Sequence, residues 1–432
     1  MFVSIFTNNR CRQSLTVAVI VFFILSLFLL KDHYSLFGST KSDNMFVYLA
    51  QSFLHGKLDL GAVPTYHDLS IFNNRTYAFW PPLCAFLLMP AVALHGVYVG
   101  DRWFSIIFVA LTAFAGWLII EAIDRRAGRL TSVGYQALLI AFLAFGTSNI
   151  IFSIIGSHWY MAQLAAAMMM FFAVLMALGL KPSYMKSLAM GGFWALAILS
   201  RMHLILAAPF FFYVAVCDID GSPDWRKVKE EWREKLLNLI VLVIPVILIL
   251  TFYAWYNWMR FGSIFDTGIS HHNMWPRFEA DYHKYGYFNI HYLWHNIYFT
   301  LLRLPIFQNQ DIFKGLTDVQ SWTEGYSLFY QCPVLLYAFL SLRALKKDRL
   351  IAILWLSVAL VACPILCLMG TGWIQFGARY LFDLVPLLFP LAIIGTNGKV
   401  SALLIALVII SVVVNLHGLF ILTALFDLAR HK

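Results

Sequence analysis

The chain has 432 residues, of which 61% are hydrophobic and only 12% are charged, with a mean hydropathy of +0.75. A soluble protein carries about twice that charged fraction, and apolar runs long enough to cross a ~30 Å hydrocarbon core recur along the sequence. These features exclude an ordinary soluble enzyme and predict an all-α fold, a polytopic transmembrane helical bundle forming one domain over residues 1–432. A transmembrane barrel would instead show ~10-residue segments of alternating polarity.

The net charge of +9 does not indicate a nucleic-acid partner. Lys and Arg fall mostly in short connections between apolar runs, which is what the positive-inside bias of membrane proteins produces. The six cysteines are scattered, most of them in apolar segments, with neither a metal-binding spacing nor a disulfide framework. We interpret them as small buried thiols.

The first apolar run, residues 15–30, follows Arg10 and Arg12 and lacks a cleavage-site pattern. We therefore interpret it as an uncleaved first span that enters from the cytoplasm. We expect 11 or 12 spans in total. The candidates, in chain order, are residues 14–30, 82–99, 103–121, 134–153, 159–180, 187–217, 237–256, 327–343, 349–370, 380–395 and 400–425. The run at 187–217 is too long for one ordinary span, and its interruption by "SRMH" predicts two short helices meeting at Arg201.

Two long polar segments, residues 31–80 and 257–326, are expected on the same, extracytoplasmic face. This follows because the basic connections should all be cytoplasmic; these are residues 124–129, 181–186, 224–235 and 342–349. One conflict arises. If residues 82–99 and 103–121 both crossed the membrane, the basic segment 124–129 would lie outside, so either one of the two is re-entrant or the charge rule fails locally.

The first polar segment opens with "KSDNMFVYLAQSFLHGK", which predicts a short amphipathic helix. Its apolar residues recur with helical spacing, and Gly56 is a suitable stop. Three turns cannot span a bilayer, so we expect the helix to lie in the membrane interface with its apolar face down. Ser42 or Asp43 would be its N-cap, which is the structural alternative to any chemical role for Asp43. The apolar positions are Phe46, Leu49, Ala50, Phe53 and Leu54.

Further polar residues crowd the segment "TYHDLSIFNNRTYAFWPPL" at 65–83. Its prolines and aromatics suit a helix start at headgroup depth. Those general roles explain less well why two acids, a His and two Asn fall in this one loop. The residues of interest are Asp43, Asp68, His67, Asn73 and Asn74.

Arg379, Tyr380 and Asp383 mark the start of a late span. An intramembrane Asp costs about 2.5–3.5 kcal/mol, so it normally faces a partner inside the protein. Arg379, four residues earlier, is the expected partner on the same helical face. Either the two form a structural ion pair, or Arg379 binds a phosphate, for which a planar guanidinium is suited. In the second loop, Asp266, His271 and His272 form at best a weak metal site, because adjacent His side chains diverge.

Several segments, in order, resemble the GT-C superfamily of integral-membrane glycosyltransferases, which use polyprenyl-phosphate sugars. An acid follows the first span, and "FNNRTYAFWPPLCAFLLMP" is similar to the superfamily's loop before the second span. "ALAILSRMHLILAAPFFF", "YNWMRFGSIFDTG" and "QFGARYLFDLVPLLFPL" are similar to three later motifs. The resemblance covers residues 41 to about 392. Related mannosyltransferases often carry Asp-Glu where this chain has Asp43 and Asn44.

The resemblance implies an inverting glycosyl transfer on the extracytoplasmic face of a bacterial inner membrane. Asp43 would be the general base, with Asp68 as the alternative. The donor phosphate would be bound by Arg379, Arg201 and Arg260. Sugar or acceptor hydroxyls would be bound by His67, Tyr66, Tyr77, Tyr380 and His271. Trp275, Tyr282 and Trp294 in the second loop would either stack on sugars or form an aromatic interfacial cover.

The implied partners are a polyprenyl-phosphate sugar donor, a glycan, lipid or protein acceptor, and membrane lipid. No cofactor is assigned, no metal ligands are assigned, and a requirement for a divalent cation stays open. The main alternative is a transporter or flippase of lipid-linked saccharides, although such proteins usually bind substrate near the midplane and contain repeated halves. A membrane-anchored assembly subunit without chemistry is the second alternative.

Overall fold

A computed structural model describes residues 9–32, 34–38, 40–64, 68–217, 230–274, 276–305, 325–372 and 375–430. The α-helices are α1 (Asn9–Lys31), α2 (Met45–Leu54), α3 (Leu83–His95), α4 (Asp101–Arg126), α5 (Val133–Phe145), α6 (Ser148–Ile155), α7 (His158–Gly179), α8 (Tyr184–Ile198), α9 (Ala208–Val216), α10 (Trp232–Phe261), α11 (Pro276–Tyr285), α12 (Leu293–Ile297), α13 (Leu328–Gln331), α14 (Tyr337–Leu340), α15 (Arg349–Leu366), α16 (Val385–Thr396) and α17 (Ala402–Arg430). Short 3₁₀ or π segments cover Gly96–Tyr98, Met202–Ala207, Ile269–His271, Ile290–Tyr292, Tyr298–Leu302, Pro333–Leu336, Ser341–Ala344 and Arg379–Leu384. The strands are β1 (Ser70–Phe72) and β2 (Arg75–Tyr77).

The predicted all-α membrane fold is confirmed, since 74% of the structure is helical. Among the described residues, seven helices are long and apolar enough to cross a membrane, or eight if the pair α5 and α6, bent by 47°, is one span. This is fewer than the 11 or 12 expected spans. The expected spans at 82–99, 187–217 and 327–343 coincide with shorter apolar helices instead, because proline and polar residues interrupt them.

The chain breaks where the sequence predicts it, at Arg201. Helix α8 ends at Ile198, Arg201 is extended (φ −141°, ψ 95°), and a 3₁₀ segment then leads into α9. This break puts Arg201 and His203 at the end of two short helices, where their side chains can reach a common neighbour.

Helix α2 is capped by a residue other than the two expected. Its N-cap is Asn44, whose side-chain oxygen accepts from the backbone N–H of Phe46 at 3.0 Å; neither Ser42 nor Asp43 is the cap. Seven of its ten residues are buried, so α2 packs into the protein on several sides instead of presenting one apolar face to lipid. The reason is tertiary, because α3 covers it.

Helix α3 has 13 residues and therefore rises only about 20 Å, less than the ~30 Å hydrocarbon core. Both of its ends are held by backbone hydrogen bonds to segments distant in sequence. Leu83 N–H at its start donates to Leu199 O, at 3.4 Å, and Gly100 N–H just after its end donates to Leu36 O, at 2.7 Å. A re-entrant or surface course of α3 removes the orientation conflict raised by the basic segment 124–129.

Helices α8 and α10 pack closely because α8 has glycine at the contact. A Cβ added at Gly191 would collide with the backbone carbonyl of Leu242, whereas the neighbouring Gly192 has no atom within 4 Å of such a Cβ. The two glycines therefore differ sharply in their packing role.

A β-hairpin ties the two polar segments together. Strands β1 and β2 pair antiparallel, with Ser70 opposite Tyr77, around Asn73 and Asn74, which both have positive φ as a tight hairpin turn requires. Ser70 also bridges to His272, and its hydroxyl donates to Gly268 O, at 2.7 Å. These contacts bring the segment after α10 against the segment before α3.

Candidate active site

A cavity of about 490 Å³ lies between the hairpin region, the break at Arg201 and the 3₁₀ segment Arg379–Leu384 that precedes α16. Much of its wall is apolar or aromatic, and a few polar groups converge on it, which is the usual composition of a ligand site. Its polar lining residues include Asp68, His272, Arg201, His203, Arg379 and Tyr380.

Asp383 is paired with Arg201 and His203. The prediction that Arg379 is its partner is therefore wrong. Arg201 Nε donates to Asp383 Oδ2 at 3.0 Å, and His203 Nε2 lies 3.0 Å from the same oxygen. The reason is local geometry: residues Arg379–Leu384 form a 3₁₀ segment with three residues per turn, so positions i and i+4 do not align. Asp383 thus neutralises part of the charge of Arg201 and fixes its direction.

The Arg379 side chain lines the cavity, where the carboxylate of Asp68 interacts with it electrostatically. Its Nη2 donates to the Tyr380 hydroxyl at 2.9 Å, and its backbone carbonyl accepts from Gln163 Nε2 at 2.8 Å. Its Nε is buried and has no hydrogen-bond partner in the described part of the chain. Two guanidinium groups lie near the Tyr380 ring, with Arg379 Cζ 4.7 Å and Arg201 Cζ 5.6 Å from the ring centroid.

Asp68 lines the same cavity from the hairpin side. Its backbone has φ +59°, a left-handed conformation uncommon for residues other than glycine. Its N–H donates to Asn273 O, and its Oδ1 lies 3.4 Å from His272 Nε2. The His272 ring also contacts Phe79, with centroids 4.5 Å apart. The bridge from Ser70 to His272 therefore holds an acid and an imidazole together at the cavity wall.

Tyr287 is a half-buried tyrosine near these charged groups. It lines the cavity, and burial raises the pKa of its phenol, as does the nearby Tyr380 to a lesser degree. It therefore stays neutral and can donate a hydrogen bond.

Asp43 is not among the residues that line the cavity. It is exposed and lies in a neighbouring cluster around the buried Asp101. Asp101 accepts from Asn44 Nδ2 at 2.7 Å and from the Tyr34 hydroxyl at 2.8 Å. Burial, and to a lesser degree the carboxylate of Asp101, raise the pKa of Tyr34. Asn44 thus serves as a donor to a buried carboxylate.

The structure does not bring three other predicted site residues to the cavity. Arg260 is buried and donates to Ala78 O and Asn257 Oδ1, at 2.5 and 2.8 Å, while covering the Tyr256 ring. Tyr77 is buried against Phe261. His271 Nε2 lies 3.0 Å from Asp266 Oδ2, on a course that diverges from His272.

Further predicted residues lie elsewhere or outside the description. Tyr66, His67 and Trp275 fall outside the described residues. Tyr282 and Trp294 are described but do not line the cavity, and Trp294 is 76% exposed. Within the described ranges, no group of three or more His, Cys, Asp or Glu side chains could hold a metal ion.

Sequence reasoning missed His203, His272 and Tyr287 as cavity residues. His203 stands two residues after Arg201 in the "SRMH" break, which was the available signal. His272 was considered only as a metal ligand, and Tyr287 is one of many aromatics in its loop, so no sequence signal singles it out.

No family model and no curated protein matches the sequence. Structure comparison finds ArnT from Cupriavidus metallidurans in its apo state, 14% identical, with 90% of this chain and 59% of that chain covered and a TM-score of 0.44. The same protein bound to undecaprenyl phosphate gives 14% identity, 90% and 60% coverage, and a TM-score of 0.42. The apo oligosaccharyltransferase from Archaeoglobus fulgidus gives 13% identity, 95% and 55% coverage, and a TM-score of 0.47.

These solved structures are what the chain is similar to in fold. The chain spans 55 to 60% of the length of these solved structures. Because every TM-score is below 0.5, the function is argued below from this chain's own residues.

The segments with GT-C-like motifs meet at the cavity. The segment before α3 supplies Phe79, Trp80 and Pro81, the break after α8 supplies Arg201 and His203, and the late motif supplies Arg379 and Tyr380. Residues far apart in sequence thus form one wall with two cations, an acid and aromatic rings.

Proposed function

We propose that the chain is a membrane glycosyltransferase that transfers a sugar from a polyprenyl-phosphate donor to a hydroxyl group of a glycan, lipid or protein acceptor. The observation that carries the proposal is the pair of guanidinium groups, of Arg201 and Arg379, which both lie near the Tyr380 ring at the cavity wall. The apolar remainder of that wall suits the first isoprene units of a lipid carrier.

Arg379 is the main phosphate ligand in this proposal. A buried donor left without a partner costs about 1–3 kcal/mol, and the Nε of Arg379 is such a donor. A phosphate oxygen would satisfy it with a charge-assisted hydrogen bond. Arg201, already oriented by Asp383, contributes a second positive charge that stabilises the leaving phosphate.

The acceptor hydroxyl needs a base within hydrogen-bond reach, and Asp68 is the acid in the cavity. Its contact with His272 at 3.4 Å orients the carboxylate, and its left-handed backbone is the kind of local strain that clusters at functional sites. Asp43 is the competing base, supported by the resemblance but separated from the cavity lining. The two assignments predict different variants to be inactive.

We place the cavity on the extracytoplasmic face of the membrane, with a bacterial inner membrane as the proposed location. The positive-inside rule supports this orientation, and the short α3 supports it further. If α3 does not cross, the basic end of α4 and the connection after α7 both fall on the cytoplasmic side.

The test is release of free polyprenyl phosphate by the purified full chain in lipid vesicles. Radiolabelled polyprenyl-phosphate sugars would be supplied with glycan, lipid and peptide acceptors. We expect the wild type to release polyprenyl phosphate and form a labelled product, and we expect Arg379→Gln to lose most of that activity. The control Arg75→Gln, at an exposed residue of β2, should keep it. Movement of intact labelled donor across the vesicle membrane without cleavage would support the flippase alternative and refute the transferase.

A further inference from the structure

His203 is a cavity residue without a role in the reaction proposed above. It lines the cavity, and its side chain is 20% exposed there. Its Nε2 lies 3.0 Å from Asp383 Oδ2, and the Asp383 side chain is fully buried. Nδ1 makes no hydrogen bond to the described part of the protein, so it is the nitrogen that a ligand can reach.

The imidazole of His203 lies next to a buried carboxylate. Arg201 and His203 share one oxygen of Asp383, while the other oxygen, Oδ1, is buried and without a hydrogen-bond partner among the described residues. A carboxylate behind an imidazole stabilises the imidazolium form and fixes the ring orientation. The other charged or titratable groups that line the cavity are Arg379, Asp68, His272, Tyr160, Tyr253, Tyr287 and Tyr380.

We propose that His203 is the general acid that protonates the leaving polyprenyl phosphate, with Asp383 as its positioning residue. The inference rests on the proposed function. In the step, the acceptor oxygen forms a bond to the anomeric carbon and gives its proton to the carboxylate base. The bond from that carbon to the phosphate oxygen breaks, and its electron pair stays on the phosphate. The proton on His203 Nδ1 passes to a phosphate oxygen, and solvent returns a proton from the base to His203 before the next turnover.

The proposal separates His203 from the two arginines in function. Arg201 and Arg379 cannot lose a proton at any physiological pH, so they act only by charge and hydrogen bonding. An imidazole between a buried carboxylate and a leaving phosphate can also transfer a proton. Removing such an acid lowers kcat, whereas removing a group that only binds the donor raises KM.

The experiment compares the full-length wild type with His203→Gln, His203→Ala and the control His283→Gln, which is exposed on α11. The donor is whichever polyprenyl-phosphate sugar the wild type cleaves. We expect both His203 variants to lose about 100-fold or more in kcat with little change in KM. We also expect added imidazole to restore part of the activity of His203→Ala but none of that of His203→Gln, whose side chain still fills the site.

Asp383 is tested by the double variant. If it acts partly through His203, then Asp383→Asn lowers kcat by a smaller factor in the His203→Gln background than in the wild type, because only its effect through Arg201 remains there. Unchanged kcat in the His203 variants, or a loss that imidazole does not rescue and that appears in KM, would overturn the inference while leaving an active wild type. An inactive wild type would instead refute the proposed function.

Discussion

Arg201 Nε donates to Asp383 Oδ2 at 3.0 Å across 182 residues of sequence. This pair replaces the local pair between Arg379 and Asp383 that helical spacing predicts. Because Asp383 pairs with Arg201 and not with Arg379, the chemistry of the site changes. The buried Nε of Arg379 is left without a hydrogen-bond acceptor among the described residues.

The first prediction concerns that pairing. Asp383→Asn leaves Arg201 near a buried neutral amide, and breaking a buried ion pair typically costs about 3–5 kcal/mol. A double-mutant cycle by thermal unfolding in detergent should show coupling of about 0.5–3 kcal/mol between Arg201→Met and Asp383→Asn. The same cycle between Arg379→Met and Asp383→Asn should be closer to additive. A larger coupling between Arg379 and Asp383 than between Arg201 and Asp383 would contradict the observed pairing. It would support the pair that helical spacing predicts.

The second prediction separates the two candidate bases. Asp68→Asn should lower release of polyprenyl phosphate by about 100-fold or more, because a positioned base contributes that much. Asp43→Asn should have a smaller effect, since Asp43 lies outside the cavity lining. Asp32→Asn, exposed after α1, is the matched control. An inactive Asp43→Asn beside an active Asp68→Asn would assign the base to Asp43.

The third prediction concerns Asn44, which caps α2 and donates to Asp101 at 2.7 Å. Asn44→Asp keeps the cap but places a second carboxylate against a buried one, so the protein should be destabilised, most strongly at pH values where both acids are ionised. Asn44→Ser keeps the cap and removes the donor without adding charge, and it should be less harmful. Thermal unfolding across pH measures both, and equal stability of Asn44→Asp and wild type at neutral pH would contradict the arrangement.

The fourth prediction uses two adjacent glycines on α8. Gly191→Ala introduces a methyl group into the carbonyl of Leu242 and should destabilise the protein by about 1–3 kcal/mol. Gly192→Ala meets no atom within 4 Å and should be neutral or stabilising by roughly 0.5–1 kcal/mol, as alanine is favoured in helices. Unfolding midpoints of the two variants give the comparison, and similar values would mean that α8 and α10 do not pack this closely.

Composition and hydropathy were enough to determine the membrane class, the all-α fold and most of the long helices, because a bilayer imposes one length and one polarity on any helix that crosses it. The break at Arg201 was also readable, since "SRMH" interrupts an apolar run. Arg201, Arg379, Tyr380 and Asp68 were predicted as site residues, and the structure brings all four to one cavity.

Tertiary structure alone decided which of these groups touch. Spacing along a helix predicts which side chains are neighbours only where the helix is a regular α-helix. Because residues Arg379–Leu384 form a 3₁₀ segment, Asp383 contacts Arg201 and His203 and not Arg379. Likewise, no local pattern could show that Asn44 donates to Asp101, 57 residues away, or that the bridge from Ser70 to His272 carries an imidazole to Asp68. Long-range contacts of this kind depend on how separate segments pack against each other. The local pattern of one sequence predicts the segments, but it does not predict which residues of different segments come into contact.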